Sequence, residues 1–233
     1  MIPLRDDNPT TLRPIVTIAF IVACVLAFLW QLSLGEKRFE AAVLALGVTP
    51  AALLGGETLP PALYLVPPTA TLFTSMFLHG GFMHLAGNML YLWIFGNNVE
   101  DSMGHVRFVI FYLLCGVAAV LAQAWPNPDS TIPMIGASGA ISGVLGAYLL
   151  LFPRAHVLVL IPLGAFSRLV PLPAMVVLGF WFVLQLINSA LTDSSQGGVA
   201  FGAHIGGFVT GMVLIPLFKH RHVRLFAPPR HGD

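Results

Sequence analysis

The sequence predicts an all-α polytopic membrane protein, a compact bundle of six transmembrane helices with both termini in the cytoplasm. Of its 233 residues, 57% are hydrophobic and only 9% are charged, whereas a soluble domain carries about a quarter charged residues. Six apolar runs are long enough, or nearly so, to cross a bilayer core of about 30 Å. Lysine and arginine are also distributed unevenly between the two ends of these runs, which sets the orientation.

The six apolar runs lie at 14–34, 81–98, 105–125, 137–152, 172–192 and 200–218. The first run lacks a small-residue cleavage site and has Trp30 and Gln31 instead, so we expect a retained helix, not a signal peptide. The fourth is short. Pro126 follows the third run and Pro153 ends the fourth, because proline cannot continue a helix. Residues 35–69 are predicted to form one long apolar loop, lying partly in the membrane interface.

Cationic residues orient the bundle. With the N-terminus inside, the outer connections hold only Lys37 and Arg38, two residues against nine on the cytoplasmic side. Those nine are Arg5, Arg13, Arg107, Arg154, Arg168, Lys219, Arg221, Arg224 and Arg230. Because cytoplasmic loops are enriched in such residues, we expect 1–13 to be a cytoplasmic tail, 14–218 the membrane domain and 219–233 a basic cytoplasmic tail.

Composition also argues against several classes of function. The net charge is +1 and no basic run is dense enough for nucleic acid. Cys24 and Cys115 lie in apolar runs, so a disulfide framework is not expected. No HExxH or CxxC motif is present, and we expect no metal and no cofactor. Every aspartate and glutamate falls in a loop, a segment end or a terminus, whereas proton-coupled transporters usually need an intramembrane carboxylate.

The intramembrane polar residues, in or next to the apolar runs, are therefore the candidates for function. They are His79, His84 and Asn88 in HGGFMHLAGN, Ser138 in GASG, and His204 in AHIGG. Polar side chains in lipid are costly and usually functional. The second, fourth and sixth runs all cross from outside to inside, so we expect these residues at similar depth in the outer part of the bilayer. His84 and Asn88 are four residues apart and share a helix face.

Glycines in the fourth and sixth runs indicate how these residues meet. Gly139 and Gly143 form one small-xxx-small pair, with Gly146 beyond, and Gly207 and Gly211 form another. Such spacings let helix backbones approach, and if the two faces meet, Ser138 and His204 come within hydrogen-bonding distance. An imidazole that takes the hydroxyl proton makes serine a nucleophile. Free N–H groups at the helix start, with His84 and Asn88, would face a developing oxyanion.

Each of these features also has a purely structural interpretation. A lone serine in a helix more often bonds its own backbone, and GASG differs from the Gly-x-Ser-x-Gly elbow because residue 140 is alanine. Asn88 alone fits a helix–helix hydrogen bond, and His84 a packing residue. His79 and His84 could also be a pair of metal ligands, but five residues apart they would not share a helix face. The glycine pairs alone indicate packing. Convergence of three helices at one depth favours catalysis.

From about Thr71 to Leu217 the chain resembles the rhomboid family of intramembrane serine proteases, in its six-helix bacterial form. Three motifs carry the resemblance in the right order: His79-x4-His84-x3-Asn88, Gly136-Ala137-Ser138-Gly139, and Ala203-His204-x2-Gly207 followed by Gly211. The resemblance implies Ser138 as nucleophile and His204 as general base and acid, without an acidic third residue. It assigns the oxyanion hole to His84, Asn88 and the Ser138 backbone N–H, and supporting positions to His79, Gly136, Gly139 and Gly207.

The resemblance further implies a multi-pass protein of the bacterial inner membrane that cuts transmembrane protein substrates near the outer face. It names neither the substrate nor the oligomeric state. Two positions depart from the family. A common Trp-Arg pair in the first loop is Ala70-Thr71 here, and a tyrosine four residues after the nucleophile is Ser142. His204 must then be oriented by something else, either Ser142 or helix packing.

Two competing functions are considered beside proteolysis. An inactive rhomboid-like protein would bind membrane helices without cutting them, but such proteins usually lack the serine or the histidine. A small transporter or channel would need intramembrane carboxylates or broken-helix repeats, and the sequence shows neither.

Overall fold

The computed structural model describes residues 1–58, 60–163, 166–192 and 198–227. The α-helices there are α1 (Ile15–Ser33), α2 (Glu36–Leu46), α3 (Pro50–Leu53), α4 (Pro68–Thr74), α5 (Phe82–Met103), α6 (His105–Ala124), α7 (Ser138–Leu151), α8 (Ala174–Leu191) and α9 (Phe201–Phe218). Short 3₁₀ turns cover Pro61–Leu63 and Ser75–Phe77, and the strands are β1 (Ile2–Asp6), β2 (His156–Leu163) and β3 (Phe166–Pro173).

Each of the six apolar runs contains one helix. Within the described ranges, α1, α6, α8 and α9 are long and apolar enough to cross a membrane. α5 has 22 residues but is more polar, and α7 has only 14. Residues 228–233 of the predicted C-terminal tail lie outside the described residues. The acidic residue Asp193 also lies outside them.

α7 is the central helix of the bundle, and α5, α6 and α9 pack around it. All residues from Gly139 to Tyr148 are buried. A helix that is apolar on every side is stable only when it is surrounded by protein or lipid. Its burial by neighbouring helices puts its first residue, Ser138, inside the protein.

α7 and α9 touch through their backbones, as the glycine spacing predicts. A Cβ atom added to Gly211 would overlap the carbonyl oxygen of Gly143, and one added to Gly207 would overlap that of Gly139. On the side facing α6, a Cβ on Gly143 would come within 2.5 Å of Cys115 Cβ. Such close approach requires residues without side chains.

The structure is mostly helical, as predicted, but it is not all-α, because β1, β2 and β3 form an antiparallel sheet in that order. The hairpin of β2 and β3 connects α7 to α8, in a stretch that the hydropathy pattern assigns to a loop. Val157 and Val159 are fully buried while His156 is exposed, the alternation expected of a strand with one covered face. β1 pairs with β2, so the N-terminal tail is partly a strand.

The predicted loop at 35–69 is also largely helical. It contains α2, α3 and the start of α4, and Ala42 and Ala45 of α2 are buried. Pro50 and Pro68 stand at the first positions of α3 and α4, where proline lacks no needed hydrogen bond. Proline in this segment therefore starts helices, whereas the sequence interpretation took it as a sign of loop.

α5 continues beyond its predicted end at 98 and carries a buried carboxylate in its last turns. Glu100 is fully buried and accepts hydrogen bonds from the backbone N–H groups of Val16 and Thr17 at 2.9 and 2.8 Å. The same carboxylate also contacts His105, whose Nδ1 lies 2.5 Å from Glu100 Oε1. A carboxylate is favourable at a helix N-terminus, so Glu100 caps α1 and fixes it to α5.

A second polar cluster ties β1 to the bundle. The Asp6 carboxylate accepts hydrogen bonds from Tyr148 Oη at 2.6 Å and Asn98 Nδ2 at 2.8 Å. Burial raises the pKa of the Asp6 carboxyl to about 6, although the hydrogen bond from Tyr148 opposes the shift. The folded protein therefore holds the Asp6 proton more tightly than the unfolded chain does.

This predicts a pH-dependent stability. Between about pH 4 and pH 6 the unfolded chain loses the Asp6 proton before the folded protein does, because unfolded aspartate titrates near 3.9. The contribution of Asp6 to stability therefore falls as the pH rises through this window and is constant above it. Asp6→Asn should flatten that slope in thermal unfolding measured in detergent from pH 4 to 7. Parallel curves for the two proteins would contradict the prediction.

Candidate active site

Ser138 and His204 meet where α7 begins and α9 enters the bundle. Ser138 is the first residue of α7 and His204 is the fourth of α9. Their side chains lie within hydrogen-bonding distance, with Ser138 Oγ 2.8 Å from His204 Nε2. The glycine contacts between the two helices hold this pair together across 66 residues of sequence.

The turn before Ser138 depends on a glycine. Gly136 has a φ of +122°, a conformation that residues with side chains rarely adopt. A Cβ there would also lie 2.8 Å from Nε2 of His84. The N–H of Gly136 donates to the carbonyl of Ser75 at 2.9 Å. Gly136 therefore brings the His84 ring against the backbone that leads into the serine.

His84 and Asn88 present N–H donors to the same space. The Gly80 N–H donates to His84 Nδ1 at 3.3 Å, so the ring hydrogen of the neutral imidazole is assigned to Nε2. Asn88 is buried, and its Nδ2 has no hydrogen-bond partner among the described residues. The N–H of Ser138 also lacks an intrahelical acceptor, because it lies in the first turn of α7.

His79 lies behind the site. It is fully buried, its Nδ1 is 3.2 Å from the Phe77 carbonyl oxygen, and its ring centroid is 5.1 Å from that of His84. Gln31 of α1 binds both its backbone groups, accepting from the N–H at 3.0 Å and donating to the carbonyl at 3.3 Å. The His79 ring therefore packs edge-on against the His84 ring.

Gly139 and Gly207, to which the resemblance assigns supporting positions, lie at contacts between helices. A Cβ on Gly139 would lie 2.6 Å from Ala119 Cβ of α6, and Gly207 faces the Gly139 carbonyl. Ala70 and Thr71, at the position of the family's Trp-Arg pair, lie in α4, where the Thr71 hydroxyl donates to the Pro68 carbonyl at 2.5 Å.

A cavity of about 1010 Å³ lies beside Ser138 and His204. Its polar lining includes His84, Asn88, Gln123, Ser138 and His204, and its apolar lining includes Trp181. The connections before α5, α7 and α9 also contribute to its walls. The cavity is large enough to admit an extended peptide segment beside the serine, and its polar lining can hold water.

Sequence reasoning missed the residues that α8 contributes. Gln185 is buried, and its Oε1 lies 2.8 Å from His204 Nδ1. The Trp181 ring centroid is 5.8 Å from that of His204. Ser142, one of the two predicted ways to orient His204, has no hydrogen bond to it among the described residues, and its hydroxyl donates to the Ser138 carbonyl at 2.6 Å. A glutamine within an apolar run was the signal available in the sequence.

Comparison with known proteins identifies the family of the domain. Residues 68–221 match the Rhomboid domain. The chain is 34% identical over 140 residues to Rhomboid protease GluP of Bacillus subtilis, covering 60% of this chain and 24% of that protein. Identity to Rhomboid protease AarA of Providencia stuartii is 29% over 153 residues, covering 60% of this chain and 52% of the relative.

A mitochondrial relative is similar to the same degree. Rhomboid protein 1 of Saccharomyces cerevisiae is 32% identical over 146 residues, covering 60% of this chain and 39% of the yeast protein. The matched region thus spans about half or less of each relative's own length. Together with its apolar helices, the domain match over most of the chain shows that this is a multi-pass membrane protein and a member of the rhomboid family.

Proposed function

We propose that the protein is an intramembrane serine endopeptidase that uses Ser138 as nucleophile and His204 as general base and acid. The observation that carries the proposal is the 2.8 Å contact between Ser138 Oγ and His204 Nε2 at the wall of the cavity. Matches to two proteins named as rhomboid proteases support the same reaction class.

The reaction follows from this contact. His204 Nε2 accepts the hydroxyl proton as Ser138 Oγ attacks the substrate carbonyl carbon, which gives a tetrahedral intermediate with a negative oxygen. His204 then returns the proton to the amide nitrogen, so that the C–N bond breaks and the amine leaves. Water attacks the remaining ester with His204 again as base, and the acid product and free Ser138 are released.

The negative oxygen of the intermediate needs fixed donors. The unpartnered Asn88 Nδ2, the His84 Nε2–H and the Ser138 backbone N–H are the donors we assign to it. Donors already in place cost no rearrangement as charge develops, which is why they are effective in an enclosed site. The start of α7 adds the positive end of a helix dipole.

We further propose that α1, α5, α6, α7, α8 and α9 all cross the membrane and that both termini are cytoplasmic. The cavity then opens to the outer face of a bacterial inner membrane. The nine-to-two distribution of cationic residues supports this orientation. The substrates would be transmembrane proteins. A substrate helix must unwind locally to present its backbone, because helical carbonyls are already hydrogen-bonded, so helix-breaking residues near the cut should favour cleavage.

The test of this function is cleavage and active-site labelling of the purified protein in lipid vesicles. We expect it to cut a reconstituted single-span substrate in or near the transmembrane segment and to react with a fluorophosphonate at Ser138. Labelling without cleavage of a panel of single-span substrates would favour a rhomboid-like binding protein that retains a reactive serine. The absence of both labelling and cleavage would exclude the proposed chemistry.

Asn88→Ala tests the oxyanion assignment. We expect kcat to fall by about 10²-fold or less, because two other donors remain, with little change in KM. Steady-state kinetics with a transmembrane substrate measures both. Asn188→Ala is the matched control, since this asparagine of α8 is partly exposed and lies outside the lining of the cavity, so the change should leave kcat unchanged. An effect of Asn88→Ala on KM alone would assign the residue to substrate binding.

A further inference from the structure

We propose that Gln185 is the positioning residue that fixes the tautomer and orientation of His204. The inference rests on the proposed function, since it explains how His204 serves as base for Ser138. It also supplies the third group that the sequence analysis did not find. Gln185 is the buried polar residue of α8, a helix whose other buried positions are Ala174, Val177 and Leu178.

A fixed sequence of donors and acceptors runs from α8 to the serine. The backbone carbonyl of Trp181 can only accept a hydrogen bond, and Gln185 Nε2 donates to it at 3.2 Å. The amide group is thereby oriented with its oxygen away from Trp181, and that oxygen lies 2.8 Å from His204 Nδ1.

The orientation of the amide decides the protonation of the imidazole. Because Gln185 Oε1 can only accept, Nδ1 of His204 must carry the hydrogen. In the neutral ring Nε2 then keeps its lone pair, 2.8 Å from Ser138 Oγ. The other tautomer would place two acceptors against each other at Nδ1 and would leave Nε2 unable to take the serine proton.

An amide suits this place better than a carboxylate. Gln185 is only 7% exposed, and an ionised group with so little access to water is costly unless it is paired. An amide oxygen accepts from Nδ1–H and stabilises the positive ring that forms in the reaction without bringing a charge into the membrane. Its bond to the carbonyl one turn earlier holds the side chain in place.

Other neighbours of His204 do not supply this function. The Ser142 hydroxyl is engaged by the Ser138 carbonyl. Trp181 and Phe201 contact the ring with their aromatic faces or edges, at centroid distances of 5.8 and 6.3 Å, and limit its tilt without choosing a tautomer. Among the described residues, Gln185 is the hydrogen-bond partner of Nδ1.

The decisive experiment compares Gln185→Met, Gln185→Glu and the control Asn188→Leu on the same helix. Methionine keeps the length but has no comparable acceptor, so we expect kcat to fall by at least about 10-fold, since general base catalysis contributes roughly 10² to 10⁴, while KM changes little. A protonated glutamate can donate to Trp181 and accept from Nδ1, so it should restore most of kcat. Asn188→Leu should match the wild type.

Nitrogen NMR of ¹⁵N-histidine-labelled protein provides a readout that a purely structural role would not change. We expect His204 to be the Nδ1–H tautomer in the wild type and in Gln185→Glu, and to shift toward the Nε2–H tautomer in Gln185→Met. An unchanged tautomer in Gln185→Met, or equal losses of activity and stability in both variants, would overturn the proposal. If the wild type never cuts a substrate, the proposed function fails, while the NMR result still decides the assignment of Gln185.

Discussion

Ser138→Ala and His204→Ala, made separately, should each lower cleavage of a transmembrane substrate by at least about 10⁴-fold, because the two side chains act as one unit. The double variant should be no worse than either single variant for the same reason. Both proteins should still fold, since each change removes atoms from the wall of a cavity and fills no space. Initial rates in vesicles and thermal unfolding in detergent measure the two properties.

Ser142→Ala is the matched control for this prediction. Ser142 lies one turn after Ser138 on α7, and its hydroxyl donates to the Ser138 carbonyl. Such a local bond contributes little, so we expect activity within about 10-fold of the wild type. Full proteolysis by Ser138→Ala would show that the nucleophile is assigned wrongly. A loss in Ser142→Ala as large as that in Ser138→Ala would show that Ser142 has a function beyond this bond.

The sequence predicts the helices that position the site because their signals are strong and local. Glycine at spacings of four residues anticipates the backbone contact of α7 with α9, and this contact places Ser138 against His204. His84 and Asn88 share one face of α5, as their spacing requires, and both line the cavity. These are consequences of helical periodicity and of the small size of glycine.

Other features depend on contacts between distant segments and carry weaker local signals. The strand β2 places buried Val157 and Val159 between more exposed residues, whereas β3 has no buried residue, and short apolar runs next to helices do not show which pairing they adopt. Gln185 stands out only as one amide in an apolar run, and its partner is 19 residues away. The burial of Glu100 follows from the arrival of the α1 N-terminus, a tertiary contact that α5 alone does not encode.

The backbone contact of Gly211 with α7 yields the largest expected effect on stability. A Cβ on Gly211 would meet the carbonyl oxygen, carbonyl carbon and Cα of Gly143. These are backbone atoms, which cannot move aside as a flexible side chain can. Gly211→Val should therefore lower the free energy of unfolding by about 3 kcal/mol or more, at the upper end of overpacking effects, and unfolding in detergent by heat or denaturant measures it.

Alanine at the same position separates this contact from a general effect of side-chain volume. Because the overlap occurs at the Cβ atom itself, Gly211→Ala should already destabilise the protein. Gly179 of α8 is the matched control, since a Cβ there has nothing within 4 Å. Gly179→Ala should stabilise by up to about 1 kcal/mol through helix propensity, so the same substitution should have opposite signs at the two positions.

Gly211 lies beyond His204 on α9, so activity should fall only as far as α7 and α9 separate. An unchanged unfolding temperature in Gly211→Ala would mean that the helices can move apart freely, and the contact that holds Ser138 beside His204 would have to be sought elsewhere.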